Sequence, residues 1–196
     1  FNPALVGRAI LQAAFPAALT TWLPAMAPGR FEGLPSSLLA IPFTEPVYDA
    51  VSGPTPLSDW KFNHNAADTM ELLLGSNVMG STGETCAILI LLGGIYLAAR
   101  NMMSWRIPLA ILATVAAFSA ILHWADPTRY ASPQFMLLSG GLMLGALFMA
   151  TDMVGSPMTQ LGGIIYGIII GVLVVVIRAW GGMPEGVMYA ILFGNA

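Results

Sequence analysis

The sequence predicts an all-α, polytopic integral membrane protein with about six transmembrane or half-membrane helices. Of its 196 residues, 57% are hydrophobic and only 9% are charged, whereas soluble domains carry about 25% charged residues. Apolar stretches of spanning length also recur along the chain. Because so little polar material cannot cover a water-facing surface, the chain requires lipid as its solvent. The net charge of −3 and the lack of a Lys/Arg cluster argue against a nucleic-acid partner.

The pattern divides the chain into three parts. Residues 1–23 form a first transmembrane helix, whose apolar run extends from Ala4 to Leu23. Residues 24–67 form a long polar segment that we expect to be an extracytoplasmic loop, too rich in proline for helix. Long loops of this kind usually carry function. Residues 68–196 form a membrane helical region.

The membrane region combines whole spans with interrupted ones. The first apolar segment predicts a short helix over Ala66–Leu74, a break over Gly75–Gly83, and a half-membrane helix from Glu84 to Ala99. Non-helical backbone at that depth requires cover from protein or a water-filled cavity. The remaining segments are three continuous spans and one piece after a second break at Arg178–Gly186: Ile107–Trp124, Gln134–Thr151, Gly162–Ile177 and Val187–Ala196.

A short basic turn orients these segments. Arg100 and Arg106 flank it, and short loops rich in Lys and Arg lie in the cytoplasm. Arg8 is then expected on the same side, and the loop that contains Thr55 on the outside.

The stretch with the clearest chemical content is Asp49–Leu57 (DAVSGPTPL), a turn of small residues that presents one hydroxyl. Gly53 permits a tight bend, and prolines on both sides of Thr55 fix the backbone. Because Pro56 follows it, Thr55 is expected in extended conformation with its side chain exposed to a modifying enzyme. An ordinary Ser/Gly/Pro loop is the alternative.

This stretch resembles the flavinylation motif of the Rnf D subunit and of its relative, the B subunit of the sodium-pumping NADH:quinone reductase. Two departures are Pro54, where alanine is usual, and Ala50, where glycine is frequent. The resemblance extends in order along the whole chain and predicts the C-terminal part of a longer membrane protein. The segments that carry it are Phe1–Ala4, Gly83–Thr85, Ser104–Arg106, Phe148–Asp152 and Pro184–Gly186.

The resemblance implies a function and two cofactors. In that family a flavin transferase esterifies the FMN phosphate to the motif threonine, here Thr55, with Ser52 and Gly53 in the motif. The family also holds non-covalent riboflavin, and the resemblance places Asn2 near it; an amide could equally tie down the proline-broken backbone.

The implied protein is a redox subunit that relays electrons in an ion-translocating ferredoxin/NAD oxidoreductase complex. It is an electron carrier rather than a site of substrate turnover, and lies in the bacterial or archaeal inner (cytoplasmic) membrane. Its partners are the other membrane and peripheral subunits, the flavin transferase and the bilayer. A transporter- or channel-like subunit without its own redox cofactor is the alternative.

Side chains near Thr55 allow two interpretations each. Lys61 could neutralise the flavin phosphate or be a solvated lysine. Tyr48, Trp60 and Phe62 could stack on the isoalloxazine ring or anchor the chain at the membrane interface.

Ionisable residues also mark the ends of apolar segments. Glu84 and Asp152 lie where a segment begins or ends, so each could line an ion pathway, and Glu84 could instead cap the half-helix. Three other charged residues are expected near interfaces, where long side chains reach water: Arg8, Arg178 and Glu185. His64 and His123 lack partners in the sequence that would form a metal site, so we expect none.

Overall fold

A computed structural model describes residues 1–16, 19, 53–65, 67–75, 78–81, 84–182 and 185–195 of the chain. These residues form helices and no sheet, in agreement with the predicted all-α class. In chain order the helices are α1 Pro3–Ala14, α2 Pro56–Asn63, α3 Thr69–Leu74, α4 Ala87–Ala99, α5 Arg106–Ala125, α6 Pro133–Leu138, α7 Leu142–Leu144 with a π-helical turn over Gly145–Met149, α8 Gln160–Trp180 and α9 Val187–Gly194.

Within the described residues, α5 and α8 are the helices long and apolar enough to cross a membrane, with 20 and 21 residues. At 1.5 Å per residue each is about 30 Å long, the thickness of the hydrocarbon core. They match the predicted spans over Ile107–Trp124 and Gly162–Ile177. The two helices run parallel, because successive turns of α8 meet successive turns of α5.

Three glycines of α8, which we call the glycine seam, allow this close approach: Gly163, Gly167 and Gly171. A Cβ on Gly167 would lie 2.9 Å from the carbonyl oxygen of Ile107, and one on Gly171 would lie 3.1 Å from that of Ile111. Small residues let helix backbones come this close in a membrane. The seam therefore fixes the two long helices against each other.

The first predicted break is confirmed. α3 ends at Gly75, whose φ of +72° ends the helix in the left-handed region, and α4 begins at Ala87. With 13 residues, α4 covers about 20 Å, less than the roughly 30 Å hydrocarbon core. The helix starts three residues later than expected, so Glu84 precedes it.

The expected continuous span over Gln134–Thr151 is wrong. Helix α6 ends at Leu138, and α7 starts at Leu142 after a break at residues 139–141. Gly140 adopts a φ of +64°, and a Cβ there would collide with the side chain of Leu57. Helix α2 thus packs on the break at Gly140, a contact that the hydropathy pattern does not show.

The segment 24–67 also departs from expectation, because its end contains helix α2. Pro56 is the first helical residue, where the missing N–H costs nothing because that group has no intrahelical acceptor. Thr55 precedes it as the N-cap and His64 ends it with a φ of 57°. The expectation that proline excludes helix here is therefore wrong; residues 20–52 lie outside the described part.

The second break, by contrast, is shorter than predicted. α8 continues to Trp180, so Arg178 lies in its last turn. After the break, α9 runs back along α8, since Gly186 packs on Ile177 and Gly194 packs on Tyr166. The 8 residues of α9 cover about 12 Å.

Candidate functional site at the helix breaks

Thr55 caps helix α2. Its φ of −65° and ψ of 156° are extended, as the following proline predicts. The Thr55 hydroxyl oxygen accepts a hydrogen bond from the backbone N–H of Ser58 at 3.3 Å. The expected exposure is wrong, because Thr55 is only 4% exposed. It lines a narrow hollow of about 10 Å³ together with Gly80, Thr85 and Gly140.

Of the other two motif residues, Gly53 and Ser52, the structure describes only Gly53. Gly53 packs against the thioether of Met79, which a Cβ at this position would push aside. Ser52 lies outside the described residues. The structure therefore brings Gly53 and Thr55 to the region of the first break, and the role of Ser52 stays a prediction.

Glu84 is buried beside two of the breaks. It is 8% exposed, accepts a hydrogen bond from the Ser81 hydroxyl, and lies 3.2 Å from where a Cβ on Gly141 would be. It does not cap α4, whose N-cap is Cys86 without a side-chain cap bond. The capping interpretation is thus wrong, and a role in ion passage stays a prediction.

Arg178 ties α8 to the break between α6 and α7. It is 6% exposed, and its guanidinium donates to the carbonyl oxygens of Met136 at 2.5 Å and Ser139 at 3.1 Å. These carbonyls lie in the last turn of α6 and directly after it. The expectation that the Arg178 side chain reaches water is therefore wrong. The guanidinium instead supplies hydrogen-bond donors to carbonyl groups at the C-terminal end of α6.

Lys61 connects α2 to the end of α8. Its ammonium donates to the carbonyl oxygens of Arg178, at 3.2 Å, and of Gly181. Cations stabilise the C-terminal end of a helix in this position. Burial lowers the pKa of the Lys61 ammonium. The structure thus shows a third role, distinct from phosphate neutralisation and from a solvated lysine.

Arg8 and Glu185 add a second ionic contact to the same region. Their side chains form a salt bridge with an N–O distance of 3.7 Å. Both line a small hollow with Glu84 and Gly141. The pair joins α1 to the residue two positions before α9, and both side chains stay partly exposed; their expected position near an interface stays a prediction. The described part of the chain has no grouping of three His, Cys, Asp or Glu side chains that would hold a metal ion.

Asn2 lies at a distance from these charges and caps α1. Its side-chain oxygen accepts from the N–H groups of Ala4 at 3.0 Å and Leu5 at 3.3 Å, and its amide nitrogen donates to the carbonyl of Met149 at 3.3 Å. This geometry favours the interpretation that the amide ties down the backbone. The riboflavin assignment stays a prediction.

Asp152 does not join the residues at the breaks. It lies after the π-helical turn, where its carbonyl accepts from the N–H of Ser156 at 3.0 Å. Because α8 begins at Gln160, Asp152 lies near the opposite end of α8 from Arg178. The structure therefore gives Glu84 and Asp152 separate surroundings, and a role of either residue in ion passage stays a prediction.

The aromatic residues near Thr55 also separate. Trp60 packs against Phe135, with ring centroids 5.9 Å apart, and against His64 at 5.7 Å. Phe62 is exposed, and Tyr48 lies outside the described residues. Of the two aromatics that the structure describes, Trp60 is therefore the one placed to contact a buried group.

A larger cavity lies on the other side of α2, and the sequence analysis missed it. Its volume is about 300 Å³. Residues of α2, α5, α6, α8 and the turn after α5 line it: Leu57, Trp60, Lys61, His64, Ser119, Leu122, Arg129, Tyr130, Ala131, Met136, Arg178 and Ala179. We call it the α2 cavity. Only the pairing of Trp60 with Lys61 hinted at it in the sequence.

The profile of the NQR2, RnfD, RnfE family matches residues 1–196. The chain belongs to this family.

The curated relatives of this NQR2/RnfD/RnfE chain are named as parts of translocating complexes. The D subunit of the ion-translocating oxidoreductase complex of Stutzerimonas stutzeri is 41% identical over 100% of the chain and 59% of the relative. The protein of the same name from Alcanivorax borkumensis is 41% identical, over 100% and 58%. The D subunit of the proton-translocating ferredoxin:NAD(+) oxidoreductase complex of Clostridium ljungdahlii is 38% identical, over 100% and 56%. The chain thus spans less than two thirds of the length of these relatives.

Proposed function

We propose that this chain is the part of a membrane redox subunit that carries FMN on Thr55 and relays electrons in an ion-translocating ferredoxin/NAD oxidoreductase complex. The observation that carries the proposal is the position of Thr55 at the start of α2. A phosphate ester there lies at a helix N-terminus, where backbone N–H groups and the helix dipole favour an anion. The names of the relatives support the complex.

The phosphate end of the flavin fits this position better than the ring does. The hollow beside Thr55 has about 10 Å³, far less than a tricyclic isoalloxazine needs. Esterification therefore requires α2 to be displaced from Gly140, or to be modified before it packs. Bound flavin would supply one-electron transfer, while this chain supplies the linking hydroxyl and the capped helix that fixes it.

The decisive experiment separates the hydroxyl from the cap. Thr55→Asn retains a good N-cap side chain but cannot form a phosphoester. After coexpression with a flavin transferase and denaturing electrophoresis, the wild-type band should fluoresce and the Thr55→Asn band should not. Ser58→Ala, on the same helix, is the control and should fluoresce. A fluorescent Thr55→Asn band would show that another residue carries the flavin.

The proposal extends to partners and to orientation in the bacterial or archaeal cytoplasmic membrane. Other subunits of the complex and a flavin transferase are the proposed partners, riboflavin is the proposed second flavin, and α2 is proposed to face outward. In the structure, α2 contacts the C-terminal end of α8, whereas Arg106 begins α5 at the opposite end of the parallel pair. This arrangement agrees with the predicted placement of the two on opposite sides.

Labelling of exposed positions tests the orientation. With Cys86 replaced by serine, Phe62→Cys should react with an impermeant maleimide in intact cells. Met102→Cys, equally exposed at the other end, should react only after permeabilisation. The reverse pattern would place α2 in the cytoplasm.

A specific observation favours the second candidate function, a transporter-like subunit. Glu84, Arg178 and Glu185 lie at three breaks in membrane helices, the arrangement in which transporters bind ions. Cation flux through vesicles that contain the purified protein, lost in Glu84→Gln, together with an absence of covalent flavin, would support that function. Fluorescence at Thr55 without flux would support the redox carrier.

A further inference from the structure

The α2 cavity is basic. Among its described lining residues are the side chains of Lys61, His64, Arg129 and Arg178, and none of those residues is acidic. Its volume of about 300 Å³ is at the lower end of the range for ligand pockets. Trp60 and Tyr130 add aromatic walls. A cavity with this lining suits an anionic group that carries an apolar body.

One of these cations has an unused donor. The two terminal nitrogens of the Arg178 guanidinium donate hydrogen bonds to the carbonyl oxygens of Met136 and Ser139. Its Nε is buried and has no hydrogen-bond partner in the described part of the chain. Leaving a buried donor unpaired is costly, and such groups usually mark a missing partner. The side chain of Arg178 also lines the α2 cavity, so the charge of this cation lies at the cavity wall.

The position of the cavity indicates the class of anion. It lies at the C-terminal ends of α5 and α8, where Trp124 is 89% exposed and Trp180 is 52% exposed. Exposed tryptophans at the ends of spanning helices are typical of the membrane–water interface, the depth at which lipid phosphates lie. Basic pockets between membrane helices bind anionic headgroups.

We propose that the α2 cavity binds a phosphate group, with the Arg129 guanidinium as the donor, the charge of Arg178 at the cavity wall and the side chains of Trp60 and Tyr130 against the attached glycerol. The source that its depth favours is the headgroup of an anionic phospholipid; a soluble phosphate compound shares the chemistry. Occupancy would brace α2 against the ends of the long helices. The site does not involve the Thr55 hydroxyl, so it stands apart from the flavin proposal.

Native mass spectrometry of the delipidated complex with the full-length protein tests this site. Wild type should bind added phosphatidylglycerol, and Arg129→Gln should weaken binding about tenfold, the loss of one charge-assisted hydrogen bond. Arg178→Gln should weaken it at least as much. Arg100→Gln, an exposed arginine at the opposite end, is the matched control and should bind like wild type.

Two further ligands identify the source. Diacylglycerol, which lacks the phosphate, should bind the wild type and both variants equally. If inorganic phosphate binds with the same dependence on Arg129 and phosphatidylglycerol does not, the site belongs to a soluble phosphate compound. Equal binding of both phosphate ligands by wild type and Arg129→Gln would overturn the proposal, and this variant keeps the test valid if Arg178→Gln fails to fold.

Discussion

The paired long helices and the broken helices are built on opposite principles. Between α5 and α8 the contact is made by missing side chains: the glycine seam brings one backbone against the other. At the breaks the contact is made by long charged side chains, as Arg178 and Lys61 reach backbone carbonyls that no longer have helical partners. Close packing of α5 and α8 forms the rigid part of the membrane region, which we call the frame. At the breaks, charged side chains stabilise backbone groups that have no helical partner.

The difference has a consequence for function. Residues that face the seam have no chemistry to offer, whereas each break needs polar groups to satisfy its backbone. Those polar groups gather Glu84, Arg178 and Glu185 in one region, next to the helix that carries Thr55. The interruptions therefore explain both how the charges are held and why they lie together.

The largest expected effect is at the break between α6 and α7. Arg178→Leu removes the donor for two carbonyls, and each buried unpaired group costs about 1–3 kcal/mol. The free energy of unfolding of the purified protein should fall by about 2–5 kcal/mol, measured by denaturant titration in detergent. Arg100→Leu, at an exposed position, is the control and should change it by less than about 0.5 kcal/mol. Equal effects would mean that Arg178 does not hold the break.

The frame gives the next largest effect. Gly167→Ala adds a Cβ that would lie 2.9 Å from the carbonyl oxygen of Ile107, so the helices must separate, at a cost of about 1–3 kcal/mol. Gly7→Ala is the matched control in α1, because no atom of the described residues lies within 4 Å of a Cβ at this position. There the change should stabilise the helix by about 0.5–1 kcal/mol. Opposite signs in thermal unfolding would confirm the seam, and two stabilising substitutions would contradict it.

The frame was predictable from sequence and the breaks only in part. Long apolar runs fix the existence of α5 and α8, and the Gly-rich stretch after Leu74 fixes the first break. The break at Gly140 was missed because its sequence, LLSGGLML, is apolar on both sides, and two glycines alone do not end a membrane helix. At this break the side chain of Leu57 from α2 packs on Gly140, and Arg178 donates to the carbonyls of Met136 and Ser139. Both are contacts between distant segments.

In the candidate site, too, local features were predictable from the sequence and long-range contacts were not. The flanking prolines predicted the backbone of Thr55 correctly, because that is a local effect. Its burial depends on α2 packing against Gly140, and the partners of Arg178 and Lys61 depend on carbonyls far away in sequence. A hydropathy pattern places arginines near helix ends at the interface, but it does not register which backbone groups a break leaves unpaired.

The smallest effect concerns the link between α2 and α8. Lys61→Met removes the ammonium from the carbonyls of Arg178 and Gly181. Because Gly181 is partly exposed, water can replace the lost donor there, and the free energy of unfolding should fall by about 1 kcal/mol. Lys61→Arg keeps the charge and should recover most of the loss.

Combined with Arg178→Leu, the Lys61→Met substitution tests whether α2 and the break act through one helix end. Residues that share a network deviate from additivity by about 0.5–3 kcal/mol. If Lys61 steadies the turn of α8 from which Arg178 reaches Met136 and Ser139, its loss should matter less once Arg178 is gone. Strict additivity in the double-mutant cycle would instead show that Lys61 and Arg178 stabilise the protein independently. Breaking the Lys61 contact, when α2 is displaced during flavin attachment, would then leave the bonds of Arg178 at the break, and Glu84 beside it, unchanged.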